Sequence, residues 1–305
     1  MMRRLLLAGA VLAASSAFAA PLRNIAPDFA AAYDATAQMP MPERVAAMKK
    51  AMQRLYPEFY GRFTRAEQDR RMQAAIEGFP AIRASYLEKA NDFGGALQQH
   101  MATYQAKFPH FQLDAPTTVL HSLGEMNGGM RTLGPNGEQH LVFGADVIAR
   151  IDPNGNAAPL FHHELFHVMH LEHFKCGDGL VWANLWSEGL ATYVSEVMNP
   201  GANEKELMLD YPRGMPDAMR AQLPAAWKQL LSVLDRDDLE TYREFFLMAG
   251  KSSGLPVRRG YYLGYLLARE AGKTRDLPAL AALDCQSARV LVESTIRKLS
   301  TEGIQ

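Results

Sequence analysis

Leu160-Phe161-His162-His163-Glu164-Leu165-Phe166-His167-Val168-Met169-His170 reads as one helix, and it spells H-E-x-x-H from position 163 to 167. Side chains four residues apart stand one above the other on a helical face. His163 and His167 are therefore placed to offer two imidazole nitrogens to one zinc ion at about 2.0–2.1 Å. Glu164, beside the first histidine, is in reach of a water on that ion and suited to take its proton. Pro159 fits the first turn of the helix, where a missing N–H does no harm. The segment Lys175-Cys176-Gly177-Asp178-Gly179 stops the helix after about Phe174.

A catalytic zinc usually has three protein ligands, and two residues compete for the third place. His173 lies where H-E-x-x-H-x-x-G-x-x-H puts its last histidine, but that pattern turns the chain on a glycine, and His170 stands in its place. Glu188 lies in Leu185-Trp186-Ser187-Glu188-Gly189-Leu190-Ala191-Thr192-Tyr193, inside a second helix expected over 182–198 and ended by Asn199-Pro200-Gly201. The missing glycine favours Glu188. His162, His170 and His173 then have plainer readings: a helix-surface imidazole, a donor behind a ligand, or a charge near the helix carboxy terminus.

Upstream, residues 27–107 are rich in Ala, Met, Gln and charge, with apolar residues at helical spacing. Val45, Met48, Met52 and Leu55 share one face; Ile76, Phe79, Ile82, Tyr86, Leu87, Phe93 and Leu97 form further runs. This predicts three or four amphipathic helices, their methionines filling core rather than binding metal. After Pro109 the character changes. Thr117–Leu123 and Gln139–Gly144 read as strands, and Asn127-Gly128-Gly129-Met130 and Pro135-Asn136-Gly137 as turns. A small sheet is expected over 116–152, closed by Asp152-Pro153-Asn154-Gly155-Asn156. Helices follow at about 216–234, 237–249, 257–272 and 285–300. The order helices, small sheet, helices predicts a predominantly helical α+β fold. No internal repeat or low-complexity linker marks a boundary.

Arg3 and Arg4, the apolar run from Leu5 to Ala14 and the A-x-A triplet Ala17-Phe18-Ala19 have the anatomy of a secretory signal peptide, cleaved after Ala19. The run is too short to span a bilayer, which takes about 18 or more apolar residues. The expectation is export, to the periplasm where the cell has two membranes, and otherwise secretion. Losing Arg3 and Arg4 takes the formal charge from −1 to −3. Nucleic acid as a partner needs a clustered basic surface, and this balance argues against it. Cys176 and Cys285 are the only cysteines. In an oxidising compartment they suit a disulfide; two buried thiols are the alternative. Their spacing is not that of a C-x-x-C site.

H-E-x-x-H followed about twenty residues later by Glu188-Gly189-Leu190-Ala191-Thr192-Tyr193 resembles the gluzincin group of zinc metallopeptidases. It is more closely similar to a bacterial family of predicted zinc-dependent proteases with a late Gly-Tyr-x-x-Gly-Tyr segment, here Gly260-Tyr261-Tyr262-Leu263-Gly264-Tyr265. The resemblance covers roughly residues 116–272. It implies a zincin-like metallopeptidase domain over 111–305, preceded by a helical region over 20–110. It also implies His163, His167 and Glu188 as zinc ligands, Glu164 as general base and Tyr261 as the oxyanion donor, with Tyr262 behind it. Close helix packing is the plainer account of tyrosine and glycine at that spacing. Residues 127–130 could border an edge strand that pairs with an extended peptide, or form an ordinary turn.

These features predict a peptidase with Zn2+ as its metal and no organic cofactor. The chain has no G-x-G-x-x-G, P-loop or G-x-S-x-G segment, and Ser187 lacks a nucleophile elbow. Exported peptide or protein is the expected substrate. The competing expectation is a non-catalytic exported zinc-binding protein, or a helical interaction module built on 27–107.

Overall fold

The computed structural model describes residues 22–151, 154–177, 179–251 and 254–302; the signal segment expected over 1–19 lies outside them, as do Asp152, Pro153 and Asp178. A short strand β1 (Leu22–Asn24) leads into helices α1 (Ala26–Ala35), α2 (Met41–Leu55), α3 (Pro57–Tyr60) and α4 (Arg65–Lys107). Strands β2 (Thr117–Leu120), β3 (Met130–Leu133) and β4 (Glu138–Gly144) follow, then α5 (Ala145–Ile151) and α6 (Ala158–His170). The rest is helical: α7 (Val181–Met198), α8 (Met215–Arg220), α9 (Leu223–Val233), α10 (Leu239–Phe246), α11 (Gly260–Gly272), α12 (Leu277–Ala281) and α13 (Cys285–Glu302). The architecture is α+β and mostly helical. No helix among the described residues is long and apolar enough to cross a membrane.

Helix α4 runs 43 residues with Pro80 inside it. Thr64 caps it by accepting the Glu67 N–H, the first half of a T-x-x-E capping box. Its buried side includes Met72, Ile76, Phe79, Tyr86, Phe93, Leu97 and Tyr104, recurring at helical spacing. Met48, Met52 and Met72 are fully buried in the apolar core, the filler role expected of them.

The sheet has the order β1-β2-β4-β3. Strands β1, β2 and β4 are parallel, with Thr117 opposite both Leu22 and Leu141. Strand β3 closes one edge antiparallel to β4, pairing Met130 with Leu141. Two of these strands depart from expectation. β1 has three residues, too few to show alternation, and β3 begins at Met130, inside a segment read as a turn. Expected helix 216–234 divides into α8 and α9, because Pro224 lacks the N–H an interior turn needs. Expected helix 257–272 starts instead at Gly260, since Arg258 takes a left-handed backbone with φ 62°.

Helices α6 and α7 are buried on nearly all sides, as helices apolar around their circumference must be. α6 lies between α4 and α7, and α11 packs on the far side of α7. The α7–α11 crossing is close because glycine meets glycine. A Cβ on Gly189 would fall 2.1 Å from the Gly264 carbonyl carbon. The glycines of the late Gly-Tyr segment thus serve helix approach, the plainer of their two readings.

Cys176, after α6, is bonded to Cys285 at the start of α13, with Cα atoms 5.3 Å apart. Of the two alternatives for these residues, the disulfide is the one formed. It joins positions 109 apart in sequence, and loop-closure entropy at that length is worth about 2–5 kcal/mol. Reduction, or Cys176→Ser with Cys285→Ser, is expected to lower unfolding free energy by that amount, measured in urea with and without reductant.

Candidate metal centre

α6 and α7 aim three donor atoms at one point. His163 Nε2 and His167 Nε2 lie 3.0 Å apart. Glu188 Oε2, from α7, lies 3.3 Å from the first and 3.2 Å from the second. This group of two imidazole nitrogens and one carboxylate oxygen could hold a metal ion. The two helices are pinned at their outer ends, where Ser195 Oγ donates to Pro159 O at 2.9 Å. Asn199 Nδ2 reaches both Ser195 O (2.7 Å) and His162 Nδ1 (2.8 Å).

The other histidines of the region go elsewhere. His173 Nε2 donates to Ala281 O at 2.7 Å, so the competing third ligand is spent on the backbone of α12. His162 faces Asn199 and the His100 ring, away from the donor group. His170 is buried between Phe166 and Phe174, with ring centroids 4.9 and 4.4 Å away.

Burial would raise the Glu188 carboxyl, but His167 and His163 beside it hold it far below the ordinary carboxylate range. Burial would likewise lower His167, and the Glu188 carboxylate more than reverses this. Glu164 is pushed upward, chiefly by burial. Its carboxyl lies directly under the backbone of the β2–β3 loop. A Cβ on Gly128 would sit 2.7 Å from Glu164 Cγ, Cδ and Oε1, so any larger residue there would have to displace the Glu164 side chain.

A cavity of about 550 Å³ opens over these residues. His163, Glu164, His167 and Glu188 line it, and so do Gly128 and Gly129. Tyr261, in the first turn of α11, lines it too. Burial and then the Glu188 charge keep its phenol protonated well past neutrality. Tyr262 does not line the cavity; its hydroxyl accepts from Arg220 Nη1 at 3.2 Å.

Sequence reasoning missed several residues that bear on this site. Tyr242 of α10 lines the cavity and, like Tyr261, is raised first by burial and then by Glu188. Arg131 and Arg258 also line it. Asp146, fully buried at the start of α5, accepts from Ser122 N (2.6 Å), Ser122 Oγ (2.9 Å) and Gly124 N (2.8 Å). It thereby fixes the loop that carries Gly128. None of these has a spacing to find it by, because each comes from a different element.

His170 sets an acid limit. Neither ring nitrogen has a hydrogen-bond partner among the described residues, and burial lowers its pKa to about 3. The unfolded chain, with an imidazole near 6.5, therefore binds the extra proton first as pH falls. Stability is full above pH 6.5 and is lost downward to about pH 3, at about 1.4 kcal/mol per unit. His170→Leu is expected to flatten that slope in urea unfolding at pH 7, 5 and 4; an unchanged slope would assign the loss to other groups.

Compared with protein-family models, with curated proteins and with solved structures, the chain matches none of them.

Proposed function

We propose that the protein is an exported zinc-dependent peptidase with a zincin-like catalytic core. The observation that supports this best is the convergence of His163 Nε2, His167 Nε2 and Glu188 Oε2 at 3.0–3.3 Å beneath an open cavity, with Glu164 beside them. Bonds of about 2.0–2.1 Å to a tetrahedral zinc set neighbouring ligand atoms about 3.3–3.4 Å apart, close to these separations. The donor set of two histidines and one glutamate is also one that zinc peptidases use.

When bound, zinc supplies a Lewis acid for the scissile carbonyl and a water of lowered pKa. Glu164 then accepts the proton of the attacking water at its carboxylate and passes it to the leaving amine. The Tyr261 hydroxyl, protonated at neutral pH, donates a hydrogen bond to the developing oxyanion. The peptide lies along the cavity, which the Gly128–Gly129 backbone borders.

Metal content decides this first. Wild type purified without chelator is expected to hold about one zinc per chain and to cleave a quenched-fluorescent peptide library. Glu188→Ala is expected to lose the metal and His173→Ala to keep it. A metal-free wild type sinks the proposal. Zinc without cleavage leaves a non-catalytic metal-binding protein.

A further inference from the structure

Two arginines stand in succession before α11, and they are treated differently. Arg259 is fully buried and paired with Glu244 at 2.7 Å. Arg258 takes the left-handed backbone, φ 62°, rare for a residue with a side chain, and lines the cavity. Its Nη1 donates to Met208 O (3.0 Å) and Tyr211 O (2.9 Å), and its guanidinium carbon lies 4.0 Å over the Tyr261 ring. The head group is therefore held in place beside the proposed oxyanion donor. Among the described residues no carboxylate forms an ion pair with it, and Nε and Nη2 have no hydrogen-bond partner. Those two donors share one edge of the guanidinium, the edge that meets a carboxylate with two parallel hydrogen bonds. The other cavity arginine is less free. Arg131 Nε lies 3.5 Å from Glu125, a carboxylate that Arg62 also engages.

We infer that Arg258 receives a carboxylate of the substrate, so that the site selects peptides carrying one near the scissile bond. The inference rests on the peptidase reading for the word substrate, and on the geometry of Arg258 for the charge. A carboxylate can come from an Asp or Glu side chain or from a free carboxy terminus, and the same experiment separates them.

Zinc-loaded Glu164→Gln protein is titrated with fluorescein-labelled peptides in matched pairs: Asp against Asn inside the sequence, and free acid against amide at the carboxy terminus. One pair is expected to show about ten- to hundredfold tighter binding of the charged member, the range of charge-assisted hydrogen bonds; which pair does so names the source. Adding Arg258→Gln should abolish the gap with zinc retained, and Arg131→Gln should leave it. Arg258→Lys, which keeps the charge but not the two-donor edge, should lose most of it and serves if the Gln variant does not fold. Equal binding within both pairs overturns the inference, as does a gap that survives at Arg258 or vanishes at Arg131. A clear gap with no hydrolysis of any peptide by wild type would reject the peptidase reading alone. Hydrolysis without a gap would reject the carboxylate site alone.

Discussion

Glu164→Gln is expected to lower peptide turnover by about 10²–10⁴-fold, the range attributed to a positioned general base, while zinc stays at about one per chain. The two halves of that result have separate causes. The metal stays because Glu164 is not among the three donor atoms that converge at 3.0–3.3 Å. Turnover falls because an amide of the same shape cannot accept the proton. The substitution is also gentle: Glu164 is buried under the Gly128 backbone, and glutamine occupies the same volume without a charge. Metal analysis and initial rates on one peptide suffice. Rates within tenfold of wild type, at equal zinc, would remove Glu164 from the mechanism.

Gly189→Ala is expected to cost about 3 kcal/mol or more of stability and to weaken zinc binding with it. The added methyl would fall 2.1 Å from the Gly264 carbonyl carbon and 2.3 Å from its oxygen. Both are backbone atoms, so no rotamer change relieves the clash, and α7 must move away from α11. Overpacking of this kind typically costs about 1–3 kcal/mol, and more where the backbone itself blocks. In a chain of this size that corresponds to a fall of roughly 6–12 °C in thermal midpoint. Glu188 is the preceding residue on α7, so the same shift presses α7 towards α6 and disturbs the 3.2–3.3 Å spacing of its carboxylate from His163 and His167. Gly78→Ala is the control. Nothing lies within 4 Å of its added methyl, and a helical Gly→Ala change there should be neutral or stabilising by up to about 1 kcal/mol. If both variants melt alike, the glycine contact between α7 and α11 does not limit the fold.

What could be read in advance is what lies along single helices. His163, Glu164 and His167 share one stretch with a helical period, and Glu188 sits in another with a clear stop at Asn199. Their mutual distances then depend only on two helices lying side by side. β1 could not be read, because three residues have no period and its partner β2 lies nearly a hundred positions later. β3 was hidden by the turn residues before it. The same limit applies around the cavity. Tyr242, Arg131 and Arg258 come from α10, β3 and the turn before α11, and only tertiary packing makes them neighbours. His173 illustrates the opposite risk, a histidine at a suggestive spacing that the fold commits to the carbonyl of Ala281.

The Cys176–Cys285 bond makes residues 176–285 a covalent ring. Glu188, Tyr242, Arg258 and Tyr261 are inside it, whereas His163, Glu164 and His167 are on the stem that leads in. A single nick anywhere in the ring, for example in the exposed segment near Gly201, therefore releases no fragment. After that cut Glu188 stays on the same backbone as the two histidines, and the sulfur bridge keeps the piece with Tyr242, Arg258 and Tyr261 attached to them. Such a cut protein migrates as one piece until it is reduced, so the damage is invisible on a non-reducing gel.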